Sequence, residues 1–183
     1  MISRKGMPFV LGLALFAGTV VPYVQAQDFN KQTKIKFSHA VEIPGQVLPA
    51  GSYTFTQSGS IGGRTVVQIW NEDKSNPITT VLAITNYRLK PAREPFIEFH
   101  ERPTGSPQAL KAWFYPNDNY GVEFVYPKQE ALRIAQANNE DVPAETVEPT
   151  PNTLNTVPVV AVTPEQKEVP IEKAFQTTPA PAK

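Results

Sequence analysis

The chain has 183 residues, 17 basic and 17 acidic side chains, a formal net charge of zero and no cysteine. A balanced charge without a basic cluster argues against nucleic-acid binding. A chain without cysteine has no disulfides, no thiol nucleophile and no Cys-ligated zinc, so it must fold by burying apolar side chains alone.

The first 26 residues predict a signal peptide. Arg4 and Lys5 precede an apolar run over residues 8–21, and Val24 and Ala26 stand at the two positions that signal peptidase reads. The apolar run is shorter than the roughly 20 residues that span a bilayer, so we predict cleavage after Ala26 rather than a membrane anchor. The sequence thus predicts a secreted or periplasmic protein with no transmembrane segment after cleavage.

A short N-terminal lead over residues 27–32 is followed by a predicted β domain over residues 33–137. Apolar side chains recur there at every second position, which is typical of half-buried strands in an antiparallel sheet. Short links rich in glycine, proline, asparagine or aspartate separate these runs and predict turns. The predicted strands are 34–39, 51–57, 64–70, 78–85, 95–101, 110–115 and 120–126.

The segment WFYPNDNYGVEFVYP, residues 113–127, predicts a hairpin that leads into a helix. The polar turn 116–119 separates two apolar strands, and Pro127 suits the first turn of a helix over residues 128–137. Together the elements predict an all-β fold, an antiparallel β-sandwich of seven or eight strands with one short C-terminal helix. An open β-barrel is the alternative.

Several short sequence segments in this region resemble segments of known proteins. LPAGSYTF (48–55) resembles a strand entry of transthyretin-like and Ig-like extracytoplasmic sandwiches. The order VLPAGSYTF (47–55), ALKAWFYP (109–116) and YGVEFVYPK (120–128) resembles a group of short secreted β-rich proteins of environmental Gram-negative bacteria. That resemblance covers most of residues 33–136 and implies export and a compact β region with a Pro-rich tail. No activity is assigned to the group, so it implies no functional residue.

Residues 138–183 predict a disordered, Pro-rich, acidic tail. They hold eight prolines and a single aromatic residue, Phe175, and from residue 137 onward seven acidic side chains stand against three basic ones. Proline disfavours both helix and sheet interiors, and the segment has little apolar surface to offset the entropy of ordering. VPVVAV, residues 157–162, is its one apolar island.

Aromatic side chains provide the main candidate site. Strand alternation places Trp113 and Tyr115 opposite Phe114, and Trp70 opposite Ile69. We therefore predict an outward ligand-binding face, on which aromatic rings stack on a sugar or anchor a protein partner. The alternative is that both faces are buried in a two-layer fold or covered by the helix. The predicted ligand-binding residues are Trp70, Trp113, Tyr115 and Tyr120.

A second candidate is a metal or acid–base site at Glu98 and His100. The two residues share a predicted strand face roughly 7 Å apart, but a third ligand is missing. The other histidine, His39, is predicted to border the core. No serine stands in a G-x-S-x-G elbow, and the chain contains neither an H-E-x-x-H motif nor a phosphate-binding glycine loop. We predict no catalytic residue and no cofactor.

The resulting hypothesis is a non-enzymatic β-sandwich protein with a binding role at the cell envelope. Its expected partner is an envelope protein or a polysaccharide. The alternatives are a carbohydrate-binding module that uses the aromatic face, and a metal-dependent hydrolase centred on Glu98 and His100.

Overall fold

The computed structural model describes residues 31–61, 64–150, 153–154 and 156–175, so the predicted signal peptide lies outside it. The described chain is mostly β. Its elements in order are β1 Gln32–Phe37, β2 Val41–Ile43, β3 Gln46–Leu48, β4 Gly51–Ile61, β5 Arg64–Asn71, β6 Pro77–Tyr87, β7 Phe96–His100, β8 Gln108–Phe114, β9 Tyr120–Phe124, β10 Tyr126–Pro127, α1 Lys128–Asn138, β11 Val142–Glu145, β12 Val159–Val162, β13 Glu168–Pro170 and α2 Ile171–Ala174.

The central strands follow the predicted order. β4, β5 and β6 form an antiparallel meander, and β8 and β9 form the predicted hairpin. Burial along β5 alternates as the period-two pattern requires, with Val67 and Ile69 fully buried. The short strands β2 and β3 were not among the predicted ones, although Pro44 and Gly45 are typical turn formers; they form a hairpin whose turn places Gly45 at φ 81°. Glycine has no Cβ and adopts this left-handed conformation without strain.

One large sheet folds over to make the two layers of the sandwich. Its strand order is β1-β4-β5-β6-β9-β8-β2-β3, with β7 paired to β8. In a flat sheet β4 and β8 would lie about 19 Å apart, because neighbouring strands are spaced about 4.8 Å. The rings of Phe55 on β4 and Trp113 on β8 are instead 5.9 Å apart. The sheet is not closed into a barrel, so the predicted all-β sandwich is confirmed.

The helix α1 covers one end of this core. It begins directly after Pro127, as predicted, and buries Ala131, Ile134 and Ala135. Asn139 ends it in the left-handed conformation, with its N–H bonded to the carbonyl of Ala135. No helix in the part of the chain that the structure describes is both long and apolar enough to cross a membrane.

The prediction of a disordered tail from residue 138 is wrong for the described part of that segment. β11, β12 and β13 form a second sheet with β10, and VPVVAV supplies β12. Val157 is 3% exposed and packs with Leu82, Ile84 and Val125 on the outer face of the large sheet. The tail is ordered because this apolar sheet face provides the partner that the tail cannot provide for itself.

Candidate binding sites

Two of the predicted ligand-binding aromatics belong to the core, so their predicted outward position is wrong. Trp113 is fully buried and Tyr115 is 3% exposed. The indole Nε1 of Trp113 donates a hydrogen bond to Thr33 Oγ1 at 3.2 Å, and its ring lies edge-on to Phe55. Side chains on both faces of β8 are buried here, Phe114 as well as Trp113, which is the alternative that the sequence left open.

Tyr115 and Tyr120 stack on each other at the turn between β8 and β9. Their ring centroids are 5.6 Å apart, and Lys31 Nζ lies 3.8 Å from the centroid of Tyr115 and 4.7 Å from that of Tyr120. The same ammonium group donates to Asp118 Oδ2 at 2.9 Å. The cation–π position over these rings is therefore filled by a side chain of the protein itself.

Trp70 lies apart from the other three predicted aromatics. It is half-buried near the turn between β5 and β6, where Lys74 Nζ is 5.8 Å from its ring centroid. No ring contact joins Trp70 to Trp113, Tyr115 or Tyr120 within the described residues. The structure thus does not bring the four residues together as one binding face.

The predicted pair of Glu98 and His100 is also reorganised. A β-bulge between Glu98 and Phe99 interrupts the alternation that placed the pair on one face. His100 is buried, and its Nδ1 lies 2.5 Å from the Glu140 carboxylate. Within the described residues, no three His, Asp or Glu side chains are grouped to hold a metal ion. His39, predicted to border the core, is exposed.

A buried carboxyl group that the sequence did not predict lies near Glu98 and Glu140. Glu123 is 3% exposed and accepts a hydrogen bond from Asn86 Nδ2 at 2.8 Å, while its Oε1 has no hydrogen-bond partner. Burial raises the pKa of Glu123 to about 8; Lys111 opposes the rise, and the charges of Glu140 and Glu98 add to it. The carboxyl group is therefore protonated at neutral pH.

The ion pair between Lys111 and Glu140 lowers the pKa of its carboxyl group, in contrast to the raised pKa of Glu123. Lys111 Nζ donates to the carboxylate of Glu140 at 2.5 Å. Burial alone acts to raise the pKa of Glu140, but the hydrogen bonds with His100 and Lys111 hold it at about 2. His100 and Lys111 are thus both paired with Glu140, as in an internal polar network.

A cavity that we call the tail cavity lies where the tail folds back on the sandwich. Its volume is about 660 Å³. β6 contributes one wall through residues 79–82, and the first turn of α1 contributes another through residues 127–130. The chain after β11, residues 145–149, and the β2–β3 turn at Pro44 and Gly45 complete it. The cavity thus combines three regions that are distant in sequence.

The lining of the tail cavity contains both acidic and apolar side chains. Its charged residues are Glu130, Glu145, Glu148 and a single lysine, Lys128. Lys128 pairs with Glu168, and the carboxylate of Glu130 accepts a hydrogen bond from the Gly45 N–H at 3.0 Å. Leu82, Val125 and Val147 stand among the apolar lining residues.

Glu145 is the unusual member of this lining. It is 7% exposed, and in the described part of the chain its side chain has neither a hydrogen bond nor an ion pair. Burial, and then the charges of Glu148 and Glu130, raise the pKa of the Glu145 carboxyl to about 7. Those two carboxylates also line the cavity, so it contains three acidic side chains.

Nothing in the sequence connects these residues, because Glu145 and Glu148 fall in the segment predicted to be disordered. Comparison with known proteins adds no assignment: no protein-family model, curated protein or solved structure matches the chain.

Proposed function

We propose that the protein is an exported, non-enzymatic binding protein of the cell envelope, secreted or periplasmic, and that it binds its partner in the tail cavity. The observation that supports this proposal is the cavity itself. Its volume of about 660 Å³ lies within the roughly 300–1,000 Å³ that small-ligand sites occupy. The signal-peptide pattern of the first 26 residues supports export.

The composition of the cavity wall favours binding over structural packing. A cavity that serves only packing is apolar or is filled by its neighbours. This one keeps a nearly buried, unpaired carboxyl group, Glu145, beside apolar side chains. Such a combination of an apolar surface with a few polar groups is typical of ligand sites. No observation now favours a carbohydrate stacked on the predicted aromatic face, because Trp113 and Tyr115 are buried.

A co-sedimentation panel tests the proposal. The purified protein is mixed with peptidoglycan, cellulose, chitin and washed outer-membrane fragments, and the bound fraction is measured. We expect retention on at least one of these materials. We also expect Thr80→Trp to abolish it, because Thr80 lines the cavity and an indole there fills it.

Ser52→Trp is the matched control, since Ser52 is also a half-exposed strand residue but lies outside the cavity lining. It should be retained like the wild type. Equal retention of both tryptophan variants would remove the cavity from the proposal. Absence of wild-type retention on all four materials would remove binding to these envelope components.

A further inference from the structure

The tail cavity has an excess of negative charge that the described chain leaves unbalanced. Three glutamates line it against one lysine, and that lysine already pairs with Glu168 outside the lining. Lys128 is therefore not available as the partner of Glu145. A carboxylate so nearly buried is unfavourable without a counter-charge, because it has lost most of its hydration.

The carboxylates are not arranged for a metal ion. No group of three acidic or histidine side chains in the described residues is close enough to hold one. The acidic groups come instead from separate elements: Glu130 from α1, Glu145 from the end of β11 and Glu148 from the chain that follows it. A cation bound here therefore meets the unpaired carboxylate of Glu145, and the other two carboxylates act on it through their charge. An ammonium group is a compact cation with three donors and can meet that carboxylate.

The apolar residues of the lining indicate what carries the cation. Val147 is 62% exposed and offers an apolar surface that an alkyl chain can cover, whereas Leu82 and Val125, which also line the cavity, are already almost fully buried. A ligand with an ammonium head and a short alkyl stem would place its charge against Glu145 and its methylene groups against Val147.

We propose that the tail cavity binds a primary alkylammonium group, with Glu145 as its buried counter-charge and with the charges of Glu130 and Glu148 adding to the attraction. This inference rests on the proposed function, because it assigns a ligand class to the cavity proposed there. Glu145 anchors the cation, and the two more exposed carboxylates attract it.

Isothermal titration calorimetry of the purified protein tests the ligand class with three probes of equal chain length. These are cadaverine, 1,5-pentanediol and glutarate, which are cationic, neutral and anionic. At pH 8 we expect cadaverine to bind, 1,5-pentanediol to bind at least about tenfold more weakly and glutarate not to bind. No cadaverine binding, or equal binding of the diol, would overturn the proposal.

Two substitutions assign the binding to Glu145. Glu145→Gln keeps the shape of the side chain and should weaken cadaverine binding at least about tenfold. Glu101→Gln, at an exposed glutamate outside the cavity lining, should leave it unchanged. An intact Glu145→Gln variant that binds like the wild type would contradict the role of Glu145. If that variant does not fold, Glu148→Gln carries the test, because Glu148 is exposed and its loss should weaken binding several-fold.

The pH dependence provides a separate readout. Because the pKa of Glu145 is about 7, lowering the pH from 8 to 6 protonates it, while an alkylammonium group keeps its charge. The charged groups that line the cavity with it are Lys128, Glu130 and Glu148. We expect wild-type affinity for cadaverine to fall about fivefold to tenfold over this range, and the fall to disappear in Glu145→Gln. An unchanged wild-type affinity would contradict the assignment.

The experiments distinguish a wrong ligand class from a wrong proposed function. If cadaverine does not bind but Thr80→Trp still abolishes retention on an envelope material, the ligand class is wrong and the cavity remains the binding site. If cadaverine binds but Thr80→Trp does not affect retention, the cation site stands and the envelope function does not depend on it.

Discussion

At the scale of single residues, the outer face of the large sheet carries a buried carboxyl group, Glu123, with other charged side chains close to it. Glu123 has Ala112 as its cross-strand neighbour on β8, and Ala112 also faces Glu98 on β7. The small alanine between them leaves the two carboxyl groups on one face with Lys111 nearby, and the charges of Lys111 and Glu98 both act on Glu123. Because Glu123 is almost fully buried, its protonated form is the one that folding favours.

This raised pKa predicts a fall in stability with rising pH. The unfolded chain releases the Glu123 proton near pH 4.5, whereas the folded protein retains it to about pH 8. Between these values the folded state binds more protons, so the free energy of unfolding decreases as the pH rises, by up to about 4 kcal/mol. Glu123→Gln should be less sensitive to pH, which urea titrations at pH 5 and pH 8 will measure. The groups that face the side chain are Asn86, Lys111, Glu98 and Glu140.

Glu101→Gln is the control, because Glu101 is exposed and its substitution should keep the wild-type dependence on pH. A Glu123→Gln variant that loses as much stability as the wild type between pH 5 and pH 8 would show that another group causes the effect.

At the scale of the elements, the strand pattern predicted much of the sandwich but not the second sheet, which the tail forms on its outer face. The meander, the hairpin and the helix after Pro127 follow from alternation and turn chemistry, which depend on neighbouring residues only. The prediction for the tail was wrong because proline disfavours strand interiors but not every position in a strand. In the structure Pro170 lies at the end of β13, Pro158 directly precedes β12, and Pro143 precedes the two β11 residues that pair with β10. These are positions that tolerate a missing donor.

One sequence signal for that second layer was present. Val81, Leu82, Ala83 and Ile84 are four consecutive apolar residues, and all four are buried. An uninterrupted apolar run in a strand is typical of burial on both faces rather than one. The partner of the second face, however, was fixed by contacts distant in sequence, such as Leu82 with Val157. The same is true of the tail cavity, whose walls meet only after the tail folds back.

The packing of the tail on the sheet gives a direct stability prediction. Val157→Asn places an amide among Leu82, Ile84 and Val125 and should lower the free energy of unfolding by about 2–3 kcal/mol. Val147→Asn is the matched control, because Val147 is 62% exposed in the same tail and should change stability by about 0.5 kcal/mol or less. Urea unfolding measures both. Equal stability of the two variants is the result expected of a tail that does not pack on the sheet.

At the scale of the whole molecule, the aromatic and the acidic residues have different roles. Aromatic rings that looked like a binding face hold the two layers together, as with Phe55, Trp113 and Phe124. The acidic tail, which the sequence predicted to be disordered, provides Glu145 and Glu148 to a cavity against β6 and α1. Binding at this place would connect the tail to the sandwich and would stabilise the packed arrangement through linkage.

Hydrogen–deuterium exchange tests this account most directly. It should be measured on the protein alone and bound to whichever envelope material retains it. We predict added protection of backbone amides at residues 79–82, 127–130 and 145–149, which line the tail cavity, and little change at the aromatic turn, residues 115–120. Protection confined to residues 115–120, with exchange at the cavity unchanged, would contradict the account and return binding to the aromatic side chains.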